Sequence, residues 1–212
     1  MDLWAIIPVK PLALGKSRLA VVLDNRQRAA LNQWLFDRVF DAAATELGPG
    51  QVIVVSSDAG LLARVRGRGA HALDERAPTA LNAALAQACR YASGHGAPAI
   101  AVLPADLPEI RGADIAALRA ALAEPPSCAI APDAAELGTN ALVLAPPRAD
   151  SFRFGRRSFA AHLALATARG LATQIVRRPG LAHDLDTPEA YRRFARRRPD
   201  IGLRWGEETI AS

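Results

Sequence analysis

Lys10 and Lys16 are the only two lysines in the chain, and every other strongly basic side chain is arginine. They stand six positions apart in one short loop, after the apolar run Leu3 to Val9 and with Gly15 beside Lys16. A compact ammonium on a flexible stem reaches a crowded phosphate chain better than a planar guanidinium does, so this loop reads as an arm for a polyphosphate. Gly15-Lys16-Ser17 invites comparison with a P-loop, but that motif requires a glycine where this chain has Lys10. Without it, wrapping of a phosphate by the backbone does not follow. The plain alternative is a solvated loop.

Carboxylates form the second group. Asp106 follows the apolar run Ala99 to Leu103 and sits between Pro104 and Pro108, a constrained turn that aims a side chain out of the carboxyl edge of a sheet. Asp184 and Asp186 stand two apart in an extended segment, which puts both on one side. Three carboxylates supplied from strand ends suit magnesium, which takes a few carboxylate oxygens and completes its octahedron with phosphates and water. Each also has an ordinary reading, as a turn residue at Asp106 and as a helix-capping aspartate at Asp186-Thr-Pro-Glu189. Gly155 to Ser158 opens a helix and offers N–H groups and a hydroxyl to an anion, with Arg156 and Arg157 beside them, or else Ser158 is only an N-cap. Thr139-Asn140 adds a hydroxyl and an amide. No serine, cysteine and histidine grouping forms a nucleophilic triad, and none is required if the substrate brings an ionised oxygen as its own nucleophile.

These side chains need a frame, and the pattern supplies one. Leu3–Val9, Gln51–Val55 and Ala99–Leu103 are short continuous apolar runs, with a weaker run at His71–Leu73 and a pair at Ser127–Ala131 and Ala141–Leu144. A last strand is expected over Ala172–Val176. Between them lie helical periodicities. Asp24 with Gln27 forms a capping box before Leu31, Leu35 and Val39. Leu61, Leu62 and Val65 mark a short helix ending at Gly67, and Thr79 caps a helix through Leu81, Leu85 and Cys89. Further helices are expected from about 114 to 123, through His162 and Leu165, and after Pro188. Strands that are apolar throughout, alternating with helices, predict an α/β fold with a sheet buried on both faces.

Composition narrows the classes. The chain has 212 residues, half hydrophobic, with a net charge of +5, enough for one domain with a sizeable core. Its arginines are spread along the sequence and aromatics are few, which argues against nucleic acid as a partner. The cluster at Arg192, Arg193 and Arg196 to Arg198 reads as a solvated helix face. Cys89 and Cys128 lack metal-ligand spacing and read as reduced fillers. No apolar run has the length to cross a bilayer and no leader pattern is seen, so a soluble, cytoplasmic protein without a membrane partner is expected.

Taken in order, Pro8-Val-Lys-Pro-Leu12, Lys16-Ser-Arg-Leu19, Leu103-Pro-Ala-Asp-Leu-Pro108, Gly138-Thr-Asn-Ala-Leu142, Phe154-Gly155, Ser158-Phe159, His162-Leu163 and Asp184-Leu-Asp-Thr-Pro188 resemble the 2-phospholactate guanylyltransferases. That family is similar to the molybdenum-cofactor guanylyltransferases, and the resemblance spans roughly residues 3 to 195. It implies a single Rossmann-like nucleotidyltransferase domain over residues 1–199, with a mixed, mostly parallel sheet, helices on both faces and a C-terminal tail at 200–212. It further implies transfer of GMP from GTP to 2-phospholactate, phosphoenolpyruvate or 3-phosphoglycerate, with release of pyrophosphate, in the making of the deazaflavin coenzyme F-420. By the resemblance, Asp106, Asp184 and Asp186 hold Mg2+, while Thr139, Gly155 and Ser158 grip the acid. Lys16 then serves catalysis with Asp106 and lies with Lys10 and Arg18 along the triphosphate, and Ser57, Asp58 and Asn82 approach guanosine. Two departures stand out. Ala80 occupies a position where a glycine is expected, and Arg156-Arg157 replace smaller residues. Competing readings are transfer to a molybdopterin or sugar phosphate, and a non-catalytic nucleotide or RNA binder.

Overall fold

The computed structural model describes residues 1–75 and 80–198, so the expected Thr79 cap and the 200–212 tail lie outside the described residues. Seven strands, β1 (Leu3–Pro8), β2 (Val52–Ser56), β3 (His71–Asp74), β4 (Ala99–Val102), β5 (Ser127–Pro132), β6 (Thr139–Ala145) and β7 (Ala172–Ile175), form one sheet. Its order is β3-β2-β1-β4-β6-β5-β7. Only β6 runs against its neighbours, pairing antiparallel with both β4 and β5, while the other pairings are parallel. The expected α/β architecture with a mixed, mostly parallel sheet is therefore the observed one.

Among the described residues, α1 (Asn25–Leu47), α2 (Ala59–Gly67), α3 (Leu81–Gly94), α4 (Gly112–Ala120) and α5 (Ser158–Ala168) connect these strands, and α6 (Pro179–Ala182) and α7 (Pro188–Arg197) follow β7. Side chains alternate across each strand, so Leu3, Ala5 and Ile7 with Val52 and Val54 face α1, α2 and α4. Ile6, Ile53, Val55, Ile100 and Val102 face the other way, toward α3 and α5. Covering both faces is what the uninterrupted apolar strands demanded. The edge strands β3 and β7 are only half-buried. A third, smaller cluster packs Leu19 and Leu23 against Leu31 and Leu35 of α1 and against Leu185, Tyr191 and Phe194. It joins the lysine loop to α7 and the segment before it.

Several boundaries moved. The capping box at Asp24 and Gln27 is present as expected. The fourth helix starts at Gly112 rather than 114 because the Asp114 carboxylate reaches back to accept from Arg111 N at 3.0 Å. The lysine loop contains two short 3-10 turns, Leu12–Leu14 and Ser17–Val21. Arg157, in the left-handed region with φ 56°, caps α5, so Ser158 is its first helical residue and not the N-cap. Thr187 caps α7 by accepting from Ala190 N, which releases Asp186 from the capping role. Ala80 has φ −146° and ψ 134°, extended backbone that any residue adopts, so alanine in place of glycine carries no strain there.

Candidate active site

The lysine loop leaves β1 at the carboxyl edge of the sheet and is tied down from two sides. Leu12 N donates to the Asp58 carboxylate, 3.3 Å away, and Asn32 of α1 donates to Leu12 O at 2.7 Å. A Cβ at Gly15 would lie 2.5 Å from Asn32 Nδ2, so glycine there lets the loop lie against α1. Lys16 then adopts the left-handed region, φ 56° and ψ 36°, a strained conformation for a lysine that costs on the order of 1 kcal/mol. Its side chain turns inward and is 7% exposed.

There its ammonium donates to Asp106 Oδ2 at 2.9 Å and to Asp186 Oδ1 at 2.6 Å. Asp106 lies just beyond β4, and Leu185 N donates to its main-chain oxygen at 3.1 Å, which fastens the segment carrying Asp184 and Asp186 to the β4 edge. The loop and that segment are further clamped by the small apolar cluster around Leu19 and Leu185. One carboxylate oxygen from each of Asp106, Asp184 and Asp186 falls within a 4.8 Å group.

Electrostatics follow from this crowding. Burial works against the Lys16 charge, but Asp106 and Asp186 outweigh it, and its pKa is raised. Burial likewise disfavours ionised Asp186, yet the adjacent Lys16 holds it below the usual carboxylate range. At Asp184 the pull of the Lys16 charge is outweighed. Burial, reinforced by repulsion from Asp106 and Asp186, pushes it up to about 6. Three carboxylates around one ammonium, which bonds two of them, leave negative charge uncompensated, and hard oxygen donors at this separation fit a magnesium ion.

The residues expected to grip the acid are neutral. Thr139 and Ser158 are both buried, and the Thr139 hydroxyl lies 2.9 Å from His162 Nδ1. Asn140 donates to Leu181 O at 2.9 Å, linking β6 to the short α6 that precedes Asp184. Gly155 is exposed, with φ +143° and open space around it, which backbone only glycine takes easily. The residues expected near guanosine behave differently from one another. Ser57 is exposed. Asp58 caps α2 by accepting from Leu61 N at 3.0 Å, and this bond first, with that from Leu12, lowers its pKa. Asn82 uses both ends of its amide on Phe154, donating to its carbonyl and accepting from its N–H at 3.1 and 2.9 Å. Lys10, Arg18, Arg156 and Arg157 are exposed, and Arg18 helps to hold Asp186 ionised. Sequence reasoning missed His162 and Asn32 as holding residues. Each bonds to main-chain or hydroxyl groups brought close only by the fold, so no local spacing announces them.

Solved structures share this frame. The chain is similar to a protein from Desulfovibrio desulfuricans G20 named as a nucleotide-diphospho-sugar transferase, with TM-score 0.77, 16% identity, and coverage of 97% of this chain and 91% of the other. A nucleotidyl transferase from Methanothermobacter matches at TM-score 0.62 and 17% identity over 96% and 98% of the two chains. At such identities the likeness establishes the fold, which is that of the nucleotidyltransferases. Within that class the chain belongs to the family described as guanylyl transferase CofC like, whose model matches residues 3–193. It is 45% identical over 189 residues to a phosphoenolpyruvate guanylyltransferase of Rubrobacter xylanophilus, covering 89% of this chain and 91% of that one. A second protein of that name, from Chloroflexus aggregans, is 39% identical over 89% and 94% of the chains. A 3-phospho-D-glycerate guanylyltransferase of Colwellia psychrerythraea is 31% identical over 87% of each. The family expected from the ordered motifs is thus the family found, and the chain is an enzyme of the nucleotidyltransferase kind.

Proposed function

We propose that this enzyme joins the GMP part of GTP to phosphoenolpyruvate, with release of pyrophosphate, as a step toward coenzyme F-420 in the cytoplasm. The carrying observation is the meeting of Lys16 with Asp106 and Asp186, residues 90 and 170 positions away, at the carboxyl edge where such sheets bind ligands. The names of the curated relatives favour phosphoenolpyruvate over 2-phospholactate and 3-phosphoglycerate.

In this reading Asp106, Asp184 and Asp186 would hold magnesium, which when bound supplies charge neutralisation at phosphate oxygens. Lys16 directs its ammonium to the triphosphate, and Lys10 and Arg18 lie along it. An oxygen of the acceptor's phosphate attacks the α-phosphorus, the bond from that phosphorus to the bridging oxygen breaks, and pyrophosphate leaves with the electron pair. The acceptor is already ionised at neutral pH, so no general base is needed. What remains for the protein is to hold two anions in line and offset their repulsion. Thr139, Ser158 and the Gly155 backbone grip the acid, with Arg156 and Arg157 at the rim. Ser57 faces guanosine, while Asp58 and Asn82 act one step back by fixing the loops that line the site.

The purified chain, given GTP, magnesium and each of the three acids in turn, should release pyrophosphate fastest with phosphoenolpyruvate. Silence with all three would overturn the reading, and turnover with a sugar phosphate instead would redirect it.

A further inference from the structure

His162 lies on the buried side of α5 with both ring nitrogens engaged. Arg153 N–H donates to Nε2 at 2.9 Å, and Nδ1 stands 2.9 Å from Thr139 Oγ1. A main-chain N–H can only donate, so Nε2 carries no hydrogen and the neutral ring must hold its proton on Nδ1. Burial, aided by the Arg153 charge, pushes the imidazole pKa down to about 4, which keeps the second proton off. Nδ1–H therefore donates to Thr139 Oγ1. A hydroxyl oxygen that receives this hydrogen cannot return its own to the ring. Thr139 has no other side-chain hydrogen bond among the described residues, so its hydroxyl hydrogen is left for a guest.

The surroundings are consistent with a guest rich in acceptors. Ser158, the first residue of the eleven-residue α5, is 2% exposed, and no described residue bonds its hydroxyl. Arg157 supplies no side-chain cap to the helix, so the first turn keeps free N–H groups, that of Phe159 excepted, which goes to Leu137 O. Phe154 is held by Asn82 and rests edge-on against the His162 ring, 4.8 Å between centroids, so the loop carrying Gly155 shares the same support.

We infer that His162 is a positioning residue that, by donating to Thr139, turns the Thr139 hydroxyl hydrogen away from the ring, so that the cradle at the start of α5 offers that hydrogen to an ionised oxygen of the acceptor acid. This rests on the proposed acceptor site. It differs from a packing role in a specific way, because the effect of His162 must pass through the Thr139 hydroxyl.

The test pairs spectroscopy with kinetics. Imidazole nitrogen NMR of the wild type, assigned by loss of one of the four histidine signals in His162→Phe, should show the Nδ1–H tautomer. The Nε2–H form would overturn the inference without touching the proposed reaction. In steady-state assays His162→Phe and Thr139→Val should each raise KM for phosphoenolpyruvate by about tenfold or more with KM for GTP nearly unchanged. The double variant should be no worse than Thr139→Val alone. His162→Asn, which restores a donor near Nδ1, should recover part of the loss. Additive effects, or equal damage to both KM values, would make His162 a packing residue only. No turnover of any acid by the wild type would instead remove the proposed function, and the inference with it.

Discussion

The two halves of the candidate active site are held together by different forces. On one side Lys16, Asp106, Asp184 and Asp186 form a charged knot in which one ammonium bonds two of three carboxylates, so its arrangement depends on which cations are present. On the other, Thr139, His162, Asn82 and the main chain of Arg153 and Phe154 form a neutral network whose donors and acceptors are already assigned. Charge of one sign in excess invites a further cation and responds strongly to it, whereas paired neutral groups are rigid and respond little. Under the proposed function, the difference suits a reaction in which a highly charged nucleotide must enter and leave while a small acid needs a fixed seat.

The charged side should break most completely. Asp106→Asn keeps the shape and removes a charge, and pyrophosphate release should fall by about a thousandfold or more, with thermal unfolding changing far less. An unaltered rate would detach Asp106 from the chemistry. Lys16→Ala should lower turnover by about a hundredfold, and it sharpens the contrast in a second way. With the ammonium gone, the carboxylates lose their resident counter-ion, so Mn2+ titrated into nucleotide-free protein should bind roughly tenfold more tightly than to wild type. Weaker binding would mean that Lys16 supports the cation site instead of competing for it.

The neutral side shows itself in stability. His162 has a folded pKa of about 4 against an ordinary 6.5, so between these values the unfolded chain binds more protons than the native one. Stability is thus present above pH 6.5 and lost as pH falls toward 4, by up to about 3 kcal/mol. Urea unfolding across that range should lose this slope in His162→Phe, and an identical slope would assign the effect to other groups. Smallest of all, Asn82→Ala removes the two bonds to Phe154 and should cost about 1–2 kcal/mol, with a modest rise in KM for the acid and none for GTP. A selective rise for GTP would return Asn82 to the guanosine side.

Much of this was legible in the sequence, for physical reasons that can be named. Apolar strands without alternation announced a sheet covered on both faces, and Asp24 with Gln27 announced the start of α1, because both signals are local. The chemical types in the charged knot were also legible, since two lone lysines and proline-framed aspartates are unusual in their surroundings. What stayed hidden depends on distant partners. Asp58 and Asn82 looked available to a ligand, yet one caps α2 and holds Leu12, and the other clamps a loop 72 positions away. The solitary antiparallel β6 was hidden too, because a strand covered on both faces reads the same in either direction.

The small cluster of Leu19, Leu23, Leu31, Leu35, Leu185, Tyr191 and Phe194 has a consequence for the order in which the enzyme is made. A chain emerging from the ribosome can assemble its first four parallel strands long before residue 185 appears, but Lys16 has no Asp186 to meet until α7 docks on α1. Contacts of such sequence separation form late. The Lys16–Asp186 contact is therefore acquired only after residue 186 has been made, as one closing event between segments 170 positions apart.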